Sequence, residues 1–268
     1  MKAAHLKRPG CSVYYEVYGS GPALVFAHGV GGNHLSWWQQ VAHFAPRYTC
    51  VVFSHRGFAT SSPVPGAAAP DGFADDLAAL IDELKLQEVR LVAQSMGGWT
   101  CLEYALRHPG KVRALVMAST SGRIDYRQLK GDGAAEIGEW LRQTPKVVAD
   151  LDSRGILTAT GARMDAEQPA ATMLYRQISQ LTPAEFRAAA RARIMEMRTQ
   201  SPELLKQLQM PVLFLAGDED CVYPSAAGPE LAALVPKGRA VRLPKAGHSV
   251  YFERPMEFNR IVEEFLQT

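Results

Sequence analysis

The stretch VRLVAQSMGGWTCLEYALRH, residues 89–108, puts a serine where chemistry could be done. VRLVA reads as a short interior strand, and WTCLEYALRH reads as a helix that stops at Pro109 and Gly110. Ser95 therefore falls on the turn between them. A turn that sharp brings the strand end against the first helical turn, and Ala93, Gly97 and Gly98 are small where larger side chains would collide. A hydroxyl in that position is a candidate acyl-transfer nucleophile if a base can reach it. The alternative is a serine that caps a helix.

Such a turn needs a sheet to carry it, and the rest of the chain supplies one. Short Val- and Leu-rich runs recur at ALVFAHG, YTCVVFSH, VRLVAQ, VRALVMAST, PVLFLAGD and RAVRLP. Helical patterns lie between several of them. In GFADDLAALIDELKL, Phe73, Leu77, Leu80, Ile81 and Leu84 fall on one face, and Asp75 and Asp76 suit the positive N-terminal turn. Strands buried on both faces and alternating with helices predict an α/β chain with a mostly parallel central sheet and helices on both faces. CSVYYEVYG alternates and, with the turn at Gly19–Pro22, predicts an opening hairpin with ALVFAHG.

The alternation breaks in the middle of the chain, which predicts a core made of residues 1–121 and 206–268 and an inserted helical segment at 122–205. Helical patterns there cover roughly 134–143, 146–157, 166–181 and 182–199, and TPAE at 182–185 has capping-box spacing with proline at the first helical position. Arg187, Arg191 and Arg198 make a basic stripe, for which a solvated helix face is the expected reading. PVPGAAAP at 63–70 reads as a loop.

Composition excludes several roles. The chain has 268 residues, 47% of them hydrophobic, enough for a substantial core. A net charge of +2, from 29 basic and 27 acidic residues, leaves no electrostatic footprint for nucleic acid or an anionic membrane. Cys11, Cys50, Cys101 and Cys221 are scattered without metal-binding spacing and read as reduced, mostly buried thiols. No signal-peptide core or membrane-length apolar run is present, so the expected setting is soluble and cytoplasmic.

AQSMGG, residues 93–98, resembles the nucleophile elbow of the α/β-hydrolase fold, with Ala93 standing where the pattern usually has glycine. Three further segments match in family order. HGVGG, residues 28–32, resembles the oxyanion loop, which implies the backbone N–H groups of Val30 and Met96 as the oxyanion donors and makes His28 a loop brace. LAGDEDCVYP, residues 215–224, resembles the loop of the acid, which the pattern places at Asp220, with Asp218 as the alternative. LPKAGHSVYFERP, residues 243–255, puts His248 at the family's position for the general base. SHRGFATSS, residues 54–62, resembles a family turn with Ser54 and Ala59 replacing the usual Asp and Gly, and Arg56 and Gly57 read as scaffold.

The resemblance implies a serine hydrolase of esters or lactones that works through an acyl-enzyme, needs no cofactor or metal, and carries the inserted segment as a helical cap. A haloperoxidase-like perhydrolase could use the same groups. A C–C bond hydrolase fits less well, because GHSVYF lacks the Trp that commonly follows the histidine in that group. Ser95 argues against the dehalogenases and epoxide hydrolases of this fold, which use an aspartate nucleophile. A non-catalytic ligand receptor is the alternative from another class. Candidate pocket residues are Trp37, Trp38 and Trp99, which flank the two motifs, with Met164, Met173, Met195 and Met197 as adaptable liners. The expected partner is a small-molecule ester or lactone.

Overall fold

The computed structural model describes residues 1–64 and 70–267. Most of the predicted loop at 63–70 lies outside them. Among the described residues, eight strands form one sheet in the order β1-β2-β4-β3-β5-β6-β7-β8. The strands are β1 (Lys2–Arg8), β2 (Cys11–Tyr18), β3 (Ala23–Ala27), β4 (Thr49–Phe53), β5 (Val89–Gln94), β6 (Val112–Ala118), β7 (Val212–Gly217) and β8 (Gly238–Leu243). Pairing from β4 through β8 is parallel, and β2 runs antiparallel to both of its neighbours.

The predicted hairpin between β2 and β3 does not form. β2 pairs with β1 on one side and β4 on the other. The reason lies in burial: every residue of β3 is buried, so it needs a neighbour on each edge and takes β4 and β5, whereas the alternating β2 suits a place near the sheet margin.

Alternate residues of the parallel strands feed two cores. Val25 and Ala27 of β3 join Leu91, Leu115 and Phe214 on one face, while Leu24 and Phe26 join Val92, Val116 and Leu215 on the other. Helices α2 (Phe73–Glu83), α3 (Gly97–Arg107) and α8 (Ala227–Leu234) cover the first face with Leu77, Leu102 and Leu231. Helices α1 (Trp38–Phe44) and α10 (Pro255–Leu266) cover the second with Phe44, Phe258 and Phe265, and the short α9 (Val250–Glu253) adds Tyr251 and Phe252.

Between β6 and β7 the chain builds α4 (Ala134–Ser153), α5 (Gly161–Glu167), α6 (Pro169–Gln180) and α7 (Ala184–Glu196). Two predicted helices fuse into α4, which runs through Pro145. The carbonyl that loses its donor there belongs to Leu141, on an exposed stretch that water can reach. Conversely, the predicted helix over 166–181 breaks at Gln168, which leaves the helical region with φ −135° and ψ 58° before Pro169. The capping box at 182–185 is also absent: Pro183 is the N-cap residue, and the Thr182 hydroxyl accepts the Ala59 N–H at 3.1 Å instead.

Because the parallel strands share a direction, the loops after β3, β5, β7 and β8 gather at one end of the sheet. No described helix is long and apolar enough to cross a membrane, and no group of three or more described His, Cys, Asp or Glu residues could hold a metal ion.

Candidate active site

β5 ends at Gln94 and α3 begins at Gly97, so the chain turns across Ser95 and Met96 alone. Ser95 takes φ +49°, a left-handed value that non-glycine residues adopt at a cost. Two backbone bonds hold it there: its N–H donates to the Ala118 carbonyl at 3.0 Å, and its carbonyl accepts the Gly98 N–H at 2.9 Å. The turn leaves no space beside it. A Cβ at Gly97 would overlap the Ala27 carbonyl, and one at Gly98 would overlap the Thr120 side chain.

The loops after β7 and β8 bring an aspartate and a histidine together. His248 Nδ1 lies 2.9 Å from Oδ2 and 3.1 Å from Oδ1 of Asp220, and both side chains are buried. A carboxylate only accepts, so in the neutral imidazole Nδ1 is the protonated nitrogen and Nε2 carries the lone pair. Asp220 is itself oriented: its Oδ1 accepts the N–H groups of Val222 at 2.7 Å and Tyr223 at 2.9 Å. Its backbone carbonyl accepts the indole N–H of Trp140 from α4 at 2.8 Å. Asp218 is exposed, and its N–H donates to the Leu243 carbonyl at 3.0 Å, so of the two aspartates Asp220 faces the imidazole.

The histidine loop is pinned from two sides. Gln94 donates from Nε2 to the His248 carbonyl at 3.3 Å, and Glu253 Oε2 accepts the Gly247 N–H at 2.6 Å. Burial pushes the Glu253 carboxyl above its ordinary range, and the Gly247 bond partly offsets that. Among the described residues, neither the Ser95 hydroxyl nor His248 Nε2 is hydrogen-bonded, yet both residues line one cavity.

Val30 lines that cavity too, and Met96 follows Ser95 directly. Their backbone N–H groups donate to no described protein acceptor, so both are free for a ligand oxygen. The Val30 loop is braced by a buried chain of rings. His28 Nδ1 donates to the Gly29 carbonyl at 2.7 Å, its Nε2 accepts the His55 N–H at 3.0 Å, and His55 Nε2 meets the Thr100 hydroxyl at 2.8 Å. Burial pulls His28 down to about 3 and His55 well below the ordinary value, so both rings are neutral struts.

The family model described as alpha/beta hydrolase fold matches residues 22–255. The chain belongs to the α/β-hydrolase family. It is 29% identical over 282 residues to the non-heme chloroperoxidase CPO-A1 of Kitasatospora aureofaciens, covering 97% of each chain. It is 25% identical over 273 residues to 3-oxoadipate enol-lactonase 2 of Acinetobacter baylyi, covering 94% of this chain and 92% of the relative. The crystallised thermophilic esterase of Thermogutta terrifontis superposes with a TM-score of 0.78 over 100% of this chain and 98% of its own, at 21% identity, which shows the shared fold alone.

The cavity has a volume of about 660 Å³. Its walls correct four expected pocket residues. Trp37 is fully buried and packs against Phe26 and Tyr251 in the core; Trp38 is half exposed; Met164 is buried in the second core; Met173 is 57% exposed. None of the four lines the cavity, because nearness in sequence to a motif does not fix which way a helix turns its residues. Trp99 and Met195 do line it, and Met197 packs beside Trp99. The basic stripe is corrected as well: Arg187, Arg191 and Arg198 all line the cavity and do not form a purely solvated face. Sequence reading missed the supporting residues Gln94, Trp140 and Glu253. Only Glu253 left a trace, as an acid in an otherwise apolar VYF stretch five residues after His248.

Proposed function

We propose that the protein is a serine hydrolase that cleaves carboxylic esters or lactones, with Ser95 as nucleophile, His248 as general base and acid, and Asp220 as the residue that orients the imidazole and stabilises its cation. The observation that carries this reading is the buried Nδ1–carboxylate pair of His248 and Asp220 opening onto the cavity that Ser95 also lines. In the proposed reaction His248 Nε2 takes the hydroxyl proton as Ser95 Oγ attacks the carbonyl carbon, and Asp220 stabilises the imidazolium. The carbonyl oxygen gathers negative charge and is held by the Val30 and Met96 amides, which need no reorientation to receive it. Collapse of the tetrahedral intermediate passes the proton to the leaving alkoxide. Water, deprotonated by the same imidazole, then frees the acid and regenerates Ser95. The segment 122–205 serves as the cap over this centre.

The relative named as a chloroperoxidase favours a second use of the same acyl-enzyme, in which hydrogen peroxide replaces water and releases a peracid. The enol-lactonase relative keeps lactones among the substrates to be tried.

A panel of 4-nitrophenyl esters and lactones on the wild type and on Ser95→Ala tests the reading. Ser95→Ala is expected to lose about 10⁴-fold or more in kcat with an unchanged melting curve. Undiminished ester turnover by that variant would rule the proposal out. Bromination assays with acetate and peroxide separate the perhydrolase from the plain esterase.

A further inference from the structure

We propose that Arg187, Arg191 and Arg198 form an anion-recognising wall of the cavity, so that the ester or lactone this protein takes carries a second, acidic group, a carboxylate or a phosphate. The inference rests on the hydrolase reading for the reacting end of the substrate and adds what the other end must be.

Among the described residues three arginines line the cavity and no acidic side chain does. Among the described residues none of the three arginines forms an ion pair, although Arg193, on the helix α7 that carries Arg187 and Arg191, pairs with Asp71 at 3.1 Å and Glu196 at 3.2 Å. Carboxylates are thus available to α7 and are kept off its cavity side. Asp125, which acts weakly on Arg198, is already engaged by Arg127 at 2.7 and 3.0 Å, and Glu185 reaches Arg187 only through space.

Arg198 is the anchor. It is only 8% exposed, its guanidinium carbon lies 5.2 Å from the Trp99 ring and 4.9 Å from the Tyr126 ring, and Nη1 donates to the Tyr126 hydroxyl at 3.1 Å. Its Nε is buried with no partner. Arg187 is half-buried, donates from Nη1 to the Ser179 hydroxyl, and also keeps a buried Nε without a partner. Arg191 stands one turn beyond Arg187 and is exposed.

A guanidinium cannot shed its proton to escape burial, so a desolvated arginine without a counter-ion is destabilising until an anion arrives. Burial indeed draws both Arg187 and Arg198 below the ordinary arginine value. A carboxylate or phosphate oxygen would meet the planar donor fork in short charge-assisted bonds, and Arg191 would draw it in from solvent.

The test compares mono-4-nitrophenyl adipate, 4-nitrophenyl 6-phosphonohexanoate and neutral 4-nitrophenyl hexanoate on the wild type, Arg187→Gln, Arg191→Gln and Arg187→Lys. The wild type is expected to favour at least one acid-bearing ester by about tenfold or more in kcat/KM, mainly through KM. That ratio should shrink towards one in the Gln variants and with added salt, and return in part in Arg187→Lys. Which acid gains more identifies the group. A wild type that takes the neutral ester as well as both charged ones overturns the proposal and leaves the hydrolase reading standing. If neither these esters nor the lactones of the panel are turned over, the hydrolase reading fails, and calorimetry with adipate and with inorganic phosphate decides the anion wall: saturable binding weakened by Arg191→Gln supports it, and no binding overturns it.

Discussion

The Glu253 carboxylate accepts the backbone N–H of Gly247 at 2.6 Å, one residue before His248. The bond ties α9 to the loop that holds the imidazole, so the ring's place depends on a buried acid five residues further along the chain. Gln94, one residue before Ser95, holds the other side of the same loop through the His248 carbonyl. The serine turn and the histidine loop are thereby joined beneath the cavity.

Glu253 gives the fold a pH response whose sign is fixed. Its carboxyl is raised chiefly by burial, so folding favours the protonated form. That contribution is fully present below the unfolded-chain value and is lost as pH rises through the folded-state value. Glu253→Gln, which keeps an acceptor for the Gly247 N–H and cannot ionise, is expected to gain stability relative to the wild type as pH rises from about 4 to about 8. The lowered His28 and His55 act oppositely, their contribution being present above the ordinary histidine value and lost as pH falls. They are common to both proteins and cancel in the difference. Urea midpoints across that range check it, and a gap that stays constant with pH would acquit the carboxylate.

The two aspartates of the β7 loop should separate cleanly. Asp220→Asn puts an amide where a carboxylate holds the Nδ1 proton, favours the wrong tautomer and should cost about 10⁴-fold in kcat. Asp218 is exposed and away from the imidazole, so Asp218→Asn should leave kcat within about twofold, the scale of an ordinary surface substitution. Steady-state kinetics on one ester suffices, and equal losses in the two variants would contradict the pairing.

Gly97→Ala should be costly for a steric reason alone. The new methyl would press on the Ala27 carbonyl, a backbone atom in the middle of the sheet that cannot swing aside. A loss of about 1–3 kcal/mol is expected, the usual scale for overpacking, together with most of the activity because the serine turn must shift. Chemical denaturation and kcat measured on the same preparation check both halves.

Much of this architecture was legible because the parallel strands are apolar on both faces and so stand out as runs such as ALVFA and VRLVA. The Ser95 turn was legible from glycines that the close approach of Ala27 and Thr120 demands. Strand β1 was not: KAAHLKR is a half-exposed margin with little apolar signal, and β2 was consequently given the wrong partner. Helix α7 hid its arginines for a related reason. It is rich in alanine around its circumference, so periodicity does not say which side looks into the molecule. Trp37 and Trp99 make the same point, since both sit beside a motif and only the second reaches the cavity.

Ser95, Asp220 and His248 issue from the ends of β5, β7 and β8, whereas the three cavity arginines all belong to the single stretch between β6 and β7. If the proposed roles hold, reactivity and taste are written in different paragraphs of the gene. On the proposed reading, codon changes confined to that one contiguous region would redirect which molecules are admitted while the residues at the strand ends are inherited intact, a division that would let such a scaffold diversify without first becoming inert.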